Sequence, residues 1–355
     1  MKKINLGVFF GGRSVEHEIS LISAKNIIDA VDKTKYNIIP VGINKNGEFF
    51  FYNGKDCILN SNDAKKVHLS KNGIPITFSF GQSKELIGVF DKNLRIKTDV
   101  AFPVLHGSFG EDGTIQGLFE MAGIPYVGTG VLGSAIGMNK DIAKKILENS
   151  GIKTAKFLVF NISEKEKISF SYIVSKLKCP FFIKPTNLGS SVGVYKIKNK
   201  SDFDKKIKDI FKFSNRIMCE EMITGREIEC SVLGSENPIA SLSGEVIPSH
   251  EFYSYEAKYL DENGAQLKTP ANLPKKTIHK IQETAIKIFK LLGCKGMARV
   301  DGFIKKNGDY VFNEINTIPG FTPISMYSKL WEVSKISQTK LINELIQIAL
   351  KKNHY

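Results

Sequence analysis

The sequence lacks the features of several classes of protein. No apolar run reaches the ~18 residues that a membrane-spanning helix needs, and the apolar run in MKKINLGVFFGG is too short for a secretory signal peptide. No CxxC pair occurs among the five scattered cysteines, and their odd number favours reduced, buried thiols. Cys219 and Cys230 could form half of a zinc site, but no second pair completes it. We therefore expect a cytoplasmic protein that does not bind a membrane.

Acidic residues are in deficit, which leaves a formal net charge of +14. A basic chain raises the question of nucleic-acid binding. The lysines are dispersed among predicted helices and turns, and no nucleic-acid-binding module is recognisable. A small acidic substrate such as a nucleotide needs only a local cationic pocket. We expect no nucleic-acid partner, and the 355 residues suffice for two or three domains.

The most informative stretch is a predicted hairpin near the C-terminus. Two runs that fit strands, at 299–304 and 310–315, flank Asn307-Gly308. Asn-Gly between alternating runs is the strongest short-range hairpin signal. A two-residue type I′ turn at this dipeptide sets the register of the two strands. The Gly/Pro-broken segment that follows, at 316–323, is suited to presenting backbone N–H groups to an anion.

This register places four polar side chains on one face. Asp301 faces Glu314, and Arg299 faces Asn316. Opposite Cβ atoms lie roughly 5 Å apart, so the two carboxylates would repel each other unless a cation lay between them. Carboxylate and amide oxygens suit Mg²⁺, and Arg299 beside it would stabilise a phosphoryl group or an oxyanion. The alternative is a solvated hairpin face with one salt bridge.

The N-terminal third alternates strands and helices. Residues 5–10 form an apolar run typical of a buried parallel strand, and a helical apolar pattern at 21–31 follows a glycine pair. Glu16 falls in the first helical turn, where it either satisfies the helix dipole or receives an ammonium group. His106, in a Gly-rich loop at the end of a strand at 100–105, is either incidental or a site residue. The alternation predicts an open parallel sheet flanked by helices.

The middle of the chain suggests phosphate binding. An apolar strand ends in Lys184, and a Gly/Ser-rich loop follows at 185–193. A lysine beside such a loop resembles a phosphate site, although GxxxxGK[ST] is absent. The alternative is an ordinary hairpin with a lysine that reaches solvent. Glu220 and Glu221 end another strand, where one carboxylate could accept a hydrogen bond from an adenine amino group.

Three further segments complete the pattern. Residues 44–98 are the least informative and are predicted to be irregular with short hairpins. EFYSYEAKYL, at 251–260, is either an aromatic helix surface or a lid over a substrate. Residues 274–292 are predicted to form an amphipathic helix.

Seven motifs resemble, in order, those of the D-alanine–D-alanine ligase family of the ATP-grasp superfamily. They are GGRSVEHEIS, PVLHGSFGEDGTIQG, MNKDIAKK, FFIKPTNLGSSVGV, GREIECSVL, EFYSYEAKY and RVDGF…VFNEINTIPGFTPISMY. The resemblance runs from residue 4 to 347. It implies an α/β protein, α+β in its C-terminal part, with an N-terminal α/β domain (1–138), a central ATP-grasp subdomain (139–229) and a C-terminal ATP-grasp domain (230–355).

The resemblance also implies an activity. ATP phosphorylates the carboxylate of one D-alanine, and the amine of a second D-alanine attacks the acylphosphate, which yields D-alanyl-D-alanine, ADP and phosphate for peptidoglycan precursors. ATP is then a co-substrate, and two Mg²⁺ ions, or Mn²⁺ in their place, assist. A cytoplasmic homodimer is implied by the same resemblance.

Residue roles follow from the matched motifs. Glu16 matches the carboxylate that holds the first D-alanine's ammonium, and His106 matches a histidine of the same pocket. Ser190 matches a serine that is hydrogen-bonded to this carboxylate and to the lid tyrosine, while Lys258 and Tyr259 match the end of the lid. Relatives that make D-alanyl-D-lactate lack that tyrosine, so its presence favours a dipeptide product.

The remaining roles concern the transition state, the metals and the nucleotide. Arg299 and the Gly320 N–H match oxyanion stabilisers, and Ser325 and Met326 match the pocket for the second D-alanine's carboxylate. The implied metal ligands are Asp301, Glu314 and Asn316, with Glu314 shared by both ions. The implied ATP contacts are Lys140 and Lys184 at the phosphates, Ser190 and Ser191 in the phosphate loop, Glu220 at adenine, Glu221 and Ile223 at the hinge, and Glu227 at the ribose.

Two alternatives remain at this point. Another ATP-grasp ligase could join a different amino acid or a hydroxy acid. A catalytically silent protein that binds nucleotide or nucleic acid is the other possibility, although the presence of Arg299, Asp301, Glu314 and Asn316 argues against silence.

Overall fold

The computed structural model describes residues 2–54, 56–81, 83–249 and 264–351. Within these ranges the chain forms three larger sheets, of seven, four and five strands, and a two-stranded ribbon. None of the helices in these ranges combines the length and the apolar character that crossing a membrane requires.

The predicted strands at 5–10, 100–105, 299–304 and 310–315 and the predicted helix at 274–292 are present, together with elements that the sequence did not predict. The strands are β1 (Ile4–Gly11), β2 (Tyr36–Ile43), β3 (Phe49–Phe51), β4 (Ile58–Leu59), β5 (His68–Leu69), β6 (Ile74–Phe78), β7 (Glu85–Gly88), β8 (Arg95–Lys97), β9 (Val100–Val104), β10 (Phe157–Asn161), β11 (Phe181–Pro185), β12 (Tyr195–Ile197), β13 (Arg216–Glu221), β14 (Arg226–Gly234), β15 (Ile239–Pro248), β16 (Ala265–Lys268), β17 (Gly296–Ile304) and β18 (Tyr310–Asn316). The helices are α1 (His17–Ala30), α2 (Thr114–Met121), α3 (Val131–Met138), α4 (Lys140–Asn149), α5 (Phe170–Leu177), α6 (Lys200–Ile210), α7 (Lys275–Leu291), α8 (Met326–Val333) and α9 (Gln338–Lys351), with a 3-10 helix at Ile162–Lys167.

The N-terminal sheet is open, as predicted, but it is mixed rather than parallel. Its order is β8-β7-β6-β3-β2-β1-β9, and β1 pairs in parallel with both β2 and β9. The strands beyond β2 pair antiparallel. Parallel neighbours need a crossover of a dozen or more residues, which α1 supplies between β1 and β2, whereas short connections within 44–98 allow only antiparallel pairing. The region predicted to be irregular thus extends the sheet.

Glycines at the end of β1 make the turn into α1 possible. Gly11 and Gly12 have φ of +93° and +94°, and a Cβ on Gly11 would lie 2.2 Å from the carbonyl oxygen of Ile43. Only glycine fits such a position. Glu16 follows as the N-cap residue of α1, one position before the predicted first turn, and it is buried.

The other two larger sheets are antiparallel throughout and occupy successive parts of the chain. Their orders are β10-β13-β11-β12 and β16-β15-β14-β17-β18. The apolar stripe of α7, with Ile281, Ala285 and Ile288, is buried, while Leu341 and Leu345 of α9 share a core with Leu6 of β1. The last helix therefore packs on the N-terminal sheet. The three domain boundaries stay a prediction.

The β17–β18 hairpin has the predicted pairing where the polar residues lie. Arg299 is opposite Asn316, and Asp301 is opposite Glu314. The four residues therefore share the sheet face that the sequence pattern predicts.

The prediction of a two-residue type I′ turn at Asn307-Gly308, in contrast, is wrong. Of the pair Asn307-Gly308 only Gly308 has positive φ, +82°, whereas a type I′ turn requires positive φ at both positions. The loop is longer than two residues, and the Lys305 N–H closes it by donating to the carbonyl oxygen of Asp309 at 2.9 Å. A longer loop shifts the pairing beside it by one residue.

A β-bulge cancels this shift. Next to the turn Gly302 pairs with Phe312, whereas Asp301 pairs with Glu314, so Asn313 is the extra residue on β18. A bulge adds one residue to one strand and thereby changes the register beyond it. The predicted pairing at the polar end is thus correct because two offsets compensate.

The cysteines are free, as predicted, but one of them is not buried. Cys179 is exposed, whereas the other four are buried. Burial raises the pKa of the Cys57 thiol to about 11, with smaller effects from backbone hydrogen bonds and nearby charges. Such thiols are unreactive at neutral pH because the thiolate is the nucleophile. Among the described residues, no group of three or more His, Cys, Asp or Glu side chains is arranged to hold a metal ion.

Candidate active site

Two adjoining cavities lie where the sheets meet. The larger, of about 540 Å³, has walls from β11, β13, β14 and β15. The smaller, of about 130 Å³, has walls from the connections that follow β1 and β9, the β17–β18 hairpin and the segment after the hairpin. Lys140, Gly189, Val246 and Glu314 line both cavities. The two cavities therefore adjoin at these four residues.

The smaller cavity brings together residues predicted to bind the two amino acids, the metal ions and the phosphate groups. Residues from four distant parts of the chain meet there because β1, β9 and the hairpin end at the same place. The predicted residues that line it are Glu16, His106, Lys140, Ser190, Arg299, Glu314, Asn316, Gly320, Ser325 and Met326. Lys258 and Tyr259 lie outside the described residues, so the predicted lid stays a prediction.

Arg299 is anchored by two carboxylates. Its Nε and Nη2 donate to Asp301 at 2.9 and 2.8 Å. The Nε also lies 2.9 Å from Oε2 of Glu229, a residue that the sequence pattern does not single out. Fork-shaped pairing of this kind restricts the guanidinium to one orientation. The cavity thus has a fixed positive charge on its wall.

The predicted metal ligands form an all-oxygen set. Glu314 lines both cavities, and Asn316 lies beside Asp301, to which its amide nitrogen donates at 2.8 Å. Lys140 Nζ is 3.6 Å from Glu314, and Arg299 pairs with Asp301. The charge of each carboxylate is therefore partly compensated. Two carboxylates and one amide match the hard oxygen donors that Mg²⁺ prefers, with waters and phosphate oxygens completing its shell. By donor type the three residues fit a divalent cation. In this structure Asp301 lines neither cavity, and its oxygens accept from Arg299 and Asn316.

The imidazole ring of His106 is buried and uncharged. Its Nδ1 is 3.0 Å from the carbonyl oxygen of Ile318, and its Nε2 is 3.1 Å from the Ser23 hydroxyl. A carbonyl oxygen can only accept, so Nδ1 carries the proton and Nε2 accepts from Ser23. Burial lowers the pKa of His106, although the nearby Glu16 opposes this. His106 therefore links β9 to the segment after β18 without adding charge.

Glu111 is a buried acid that sequence reasoning missed. It accepts from the N–H groups of Gly107 at 2.8 Å and Ile318 at 3.2 Å, and it lines the smaller cavity. Burial, followed by the nearby Glu16, raises the pKa of Glu111 to about 8, although both N–H groups oppose this. The motif GSFGEDG contained the residue, but its burial depends on a contact with a segment 207 residues away.

This shift predicts a pH-dependent stability. Between the ordinary value of 4.5 and about 8, the folded protein holds a proton on Glu111 that the unfolded chain releases. Rising pH over this interval therefore favours unfolding. We expect the melting temperature of the wild type to fall relative to that of Glu111→Gln as the pH rises, measured by thermal unfolding. Glu344→Gln, at an exposed position on α9, is the matched control, and parallel profiles for wild type and Glu111→Gln would contradict the assignment.

The larger cavity collects the residues predicted to bind ATP. The connection between β13 and β14 forms one wall, and Glu221 also accepts from the N–H of Lys156 at 2.8 Å. The predicted residues that line the cavity are Lys140, Lys184, Ser191, Glu220, Glu221, Ile223 and Glu227. The cavity lies between the four-stranded sheet and the five-stranded sheet.

The Gly/Ser-rich loop has an unusual backbone. Ser190 and Ser191 have φ of +51° and +59°, a region that costs non-glycine residues free energy and persists only where its surroundings determine it. Lys140 Nζ donates to the carbonyl oxygen of Leu188 at 2.7 Å. The loop is thus attached to the lysine that both cavities share.

Glu220 lies between two lysines. Its carboxylate oxygens are 2.6 Å from Lys184 Nζ and 2.6 Å from Lys144 Nζ. Burial favours the neutral acid, but the two lysines outweigh it and hold the pKa of Glu220 below its ordinary value. Lys144 is another residue that sequence reasoning missed, because its helical position on α4 does not reveal which side is buried.

Comparison with known proteins agrees with this architecture. Family models described as D-ala D-ala ligase N-terminus and C-terminus match residues 5–129 and 146–347. The D-alanine–D-alanine ligase of Oceanobacillus iheyensis is 48% identical over 99% of this chain and 96% of its own length. The D-alanine–D-alanine ligase structure from Coxiella burnetii has a TM-score of 0.86 at 36% identity, covering 100% of this chain and 95% of its own. VanG D-Ala:D-Ser ligase from Enterococcus faecalis also gives 0.86 at 36% identity, with 98% and 100% covered.

Fold, cavities and matches together define an ATP-grasp enzyme, a class that activates carboxylates with ATP for attack by an amine. Within that class the chain belongs to the D-alanine–D-alanine ligase family. The family joins two D-alanines with ATP and forms ADP and phosphate, in the synthesis of peptidoglycan precursors. The predicted resemblance, fold class and activity are confirmed, whereas the individual residue roles stay predictions.

Proposed function

We propose that the protein makes D-alanyl-D-alanine where its two cavities meet. ATP occupies the larger cavity, with its phosphates toward Lys140, Lys184 and the loop at 185–193. Two D-alanines occupy the smaller cavity. The observation that supports this arrangement is that Lys140 and Glu314 line both cavities, because a phosphoryl group must cross between them.

The first D-alanine binds with its ammonium group toward Glu16. This carboxylate is buried and lies against the Gly107 and Gly189 backbone, where a Cβ on Gly107 would come within 2.8 Å of its Oε2. The lack of side chains at both glycines leaves room for a small amino acid. His106 and Ser190 complete this side of the cavity, and phosphorylation turns the substrate carboxylate into an electrophile with a good leaving group.

Arg299 and the Gly320 N–H stabilise the oxyanion that forms when the second amine attacks. Arg299 is held by two carboxylates, so little reorganisation is needed when charge develops. A Cβ on Gly320 would lie 2.9 Å from Ser325 Oγ, so glycine allows close approach at this point. Phosphate then leaves from the tetrahedral intermediate.

The second D-alanine binds with its carboxylate toward the start of α8. Ser325 is the N-cap residue of this helix and Met326 its first residue. The first turn of a helix presents unpaired N–H groups and a positive dipole end, which favour an anion. Ser325 adds a hydroxyl group 2.9 Å from the Thr322 N–H.

Divalent cations complete the nucleotide site. Two Mg²⁺ ions, or Mn²⁺, bind at Asp301, Glu314 and Asn316 and supply compensation for the phosphate charge. Glu220 accepts from the adenine amino group, Glu221 and Ile223 form the hinge beside it, and Glu227 binds the ribose. We also propose that the protein is cytoplasmic, because ATP is supplied there. We further propose that it is a homodimer with domains at 1–138, 139–229 and 230–355.

The second substrate is the point on which relatives differ. The similarity to a D-Ala:D-Ser ligase, at 36% identity, favours D-serine as the alternative second amine. Phosphate release should be measured with ATP and D-alanine, with and without D-serine or D-lactate, and with L-alanine as control. We expect D-alanine alone to support release and dipeptide formation. Release only with a second, different substrate would reject the homodipeptide.

A further inference from the structure

Lys144 is a fully buried charge for which the chemistry above has no use. It lies on α4, its side chain is 0% exposed, and its Nζ is 2.6 Å from Glu220 Oε1. Its Nζ also lies 5.9 Å from the centre of the Phe312 ring. Glu220 and Lys184 line the larger cavity, whereas Lys144 is enclosed on the inner side of the same carboxylate.

The cluster has one cation too many for a structural ion pair. Lys144 and Lys184 share a single carboxylate, so the three groups carry a net positive charge. Burying an ammonium group is unfavourable unless a partner compensates, and burial lowers the pKa of Lys144 even though Glu220 opposes this. An apolar residue at this position would leave a balanced Lys184–Glu220 pair. The surplus cation therefore indicates a state in which one lysine has another partner.

The two lysines differ in what they can reach. Lys184 lies on the cavity wall next to the Gly/Ser-rich loop, so a triphosphate competes with Glu220 for its ammonium group. Lys144 has no access to the cavity and remains with Glu220. An ionised carboxylate without a cation would be costly in this buried place, so the enclosed lysine keeps it charged after Lys184 turns to phosphate.

We propose, on the basis of the proposed function, that Lys144 is a positioning residue for recognition of the nucleotide base. It holds the Glu220 carboxylate as an acceptor for an exocyclic amino group while Lys184 binds phosphate. Lys144 acts through Glu220 and touches no ligand. The base selected is therefore one that donates at this position, as adenine does, over hypoxanthine, which presents an oxygen there.

The test compares ADP with IDP, which differ at this position of the base. Dissociation constants are measured by calorimetry for wild type and Lys144→Met, without D-alanine. We expect the variant to bind ADP ~10-fold more weakly, the cost of one charge-assisted hydrogen bond. Its affinity for IDP should stay within about 2-fold of wild type, because IDP does not use that bond.

Two further sets of variants separate this role from a structural one. Lys145→Met changes the neighbouring lysine of α4, which is 54% exposed and pairs with Asp141, and should leave both affinities unchanged. In a Glu220→Gln background, Lys144→Met should not change the ADP-to-IDP ratio further. Lys144→Gln retains a donor in the buried site and repeats the test if the methionine variant does not fold.

An equal loss of ADP and IDP affinity would overturn the proposal, since a structural defect does not distinguish bases. Unchanged ADP affinity would overturn it as well, because Lys184 alone would then suffice. These measurements require no ligation. If the wild type binds ADP but forms no dipeptide, the proposed function fails while the ADP-to-IDP ratio still decides the role of Lys144.

Discussion

Arg299→Ala is expected to lower kcat by ~10²-fold or more, with little change in the affinity for ATP. In the proposed mechanism the guanidinium contributes positive charge where the oxyanion develops, and the structure shows it paired with Asp301 and Glu229. Steady-state rates of phosphate release, corrected for the folded fraction, measure the effect. An unchanged kcat would remove Arg299 from the mechanism.

Two variants make this measurement specific. Arg299→Lys keeps the charge but cannot form the two-pronged pairing, so it should recover only part of the rate. Arg95→Ala removes an exposed arginine paired with Glu85 at the edge of the N-terminal sheet and should leave the rate unchanged. Arg299→Ala also leaves Asp301 and Glu229 without their cation, so we expect a lower melting temperature.

Glu314→Gln is the second change with a large expected effect. It removes one of the two carboxylate charges on the hairpin face while keeping the size of the side chain. Substitution of residues that hydrogen-bond to metal ligands typically lowers metal affinity or activity by roughly 10- to 100-fold. Loss of a direct ligand should therefore raise the Mg²⁺ concentration for half-maximal activity by ~10²-fold. A Mg²⁺ titration of phosphate release at saturating D-alanine measures this.

The control for this change is Glu283→Gln on α7, an exposed position whose partner is His279. It removes the same charge from the chain and should not alter the Mg²⁺ requirement. If Glu314→Gln had the same Mg²⁺ requirement as the wild type, Glu314 would not be a metal ligand.

Local patterns predicted those parts of the site that lie on single elements. Alternation along a strand is enough to place Arg299 and Asp301 on one face, and the pairing with Glu314 and Asn316 was also correct. The predicted turn was wrong, because Asn-Gly occurs in several types of loop. The bulge at Asn313 was not predicted either, because the residue types around it do not indicate a bulge. Register at the metal face thus depended on a feature that short-range rules do not describe.

Contacts between distant segments were beyond sequence reasoning. Glu111 meets Ile318 because the loop after β9 packs against the segment after β18, and Lys144 meets Glu220 because α4 lies next to β13. Glu111 and Lys144 are charged residues, and a charged residue considered only within its own segment would be predicted to face solvent. Burial decides their protonation and partners, and burial is a property of the assembled chain.

The sequence by itself determined the family and the residue types that are proposed as ligands for phosphate, metal and ammonium groups. These depend on residue type and on spacing within one strand, helix or loop. Only the tertiary structure decided that Lys140 and Glu314 border both cavities, and that Glu220 has one lysine on the cavity side and one enclosed beneath it. Electrostatic interactions depend on distance and burial in space, and separation along the chain specifies neither.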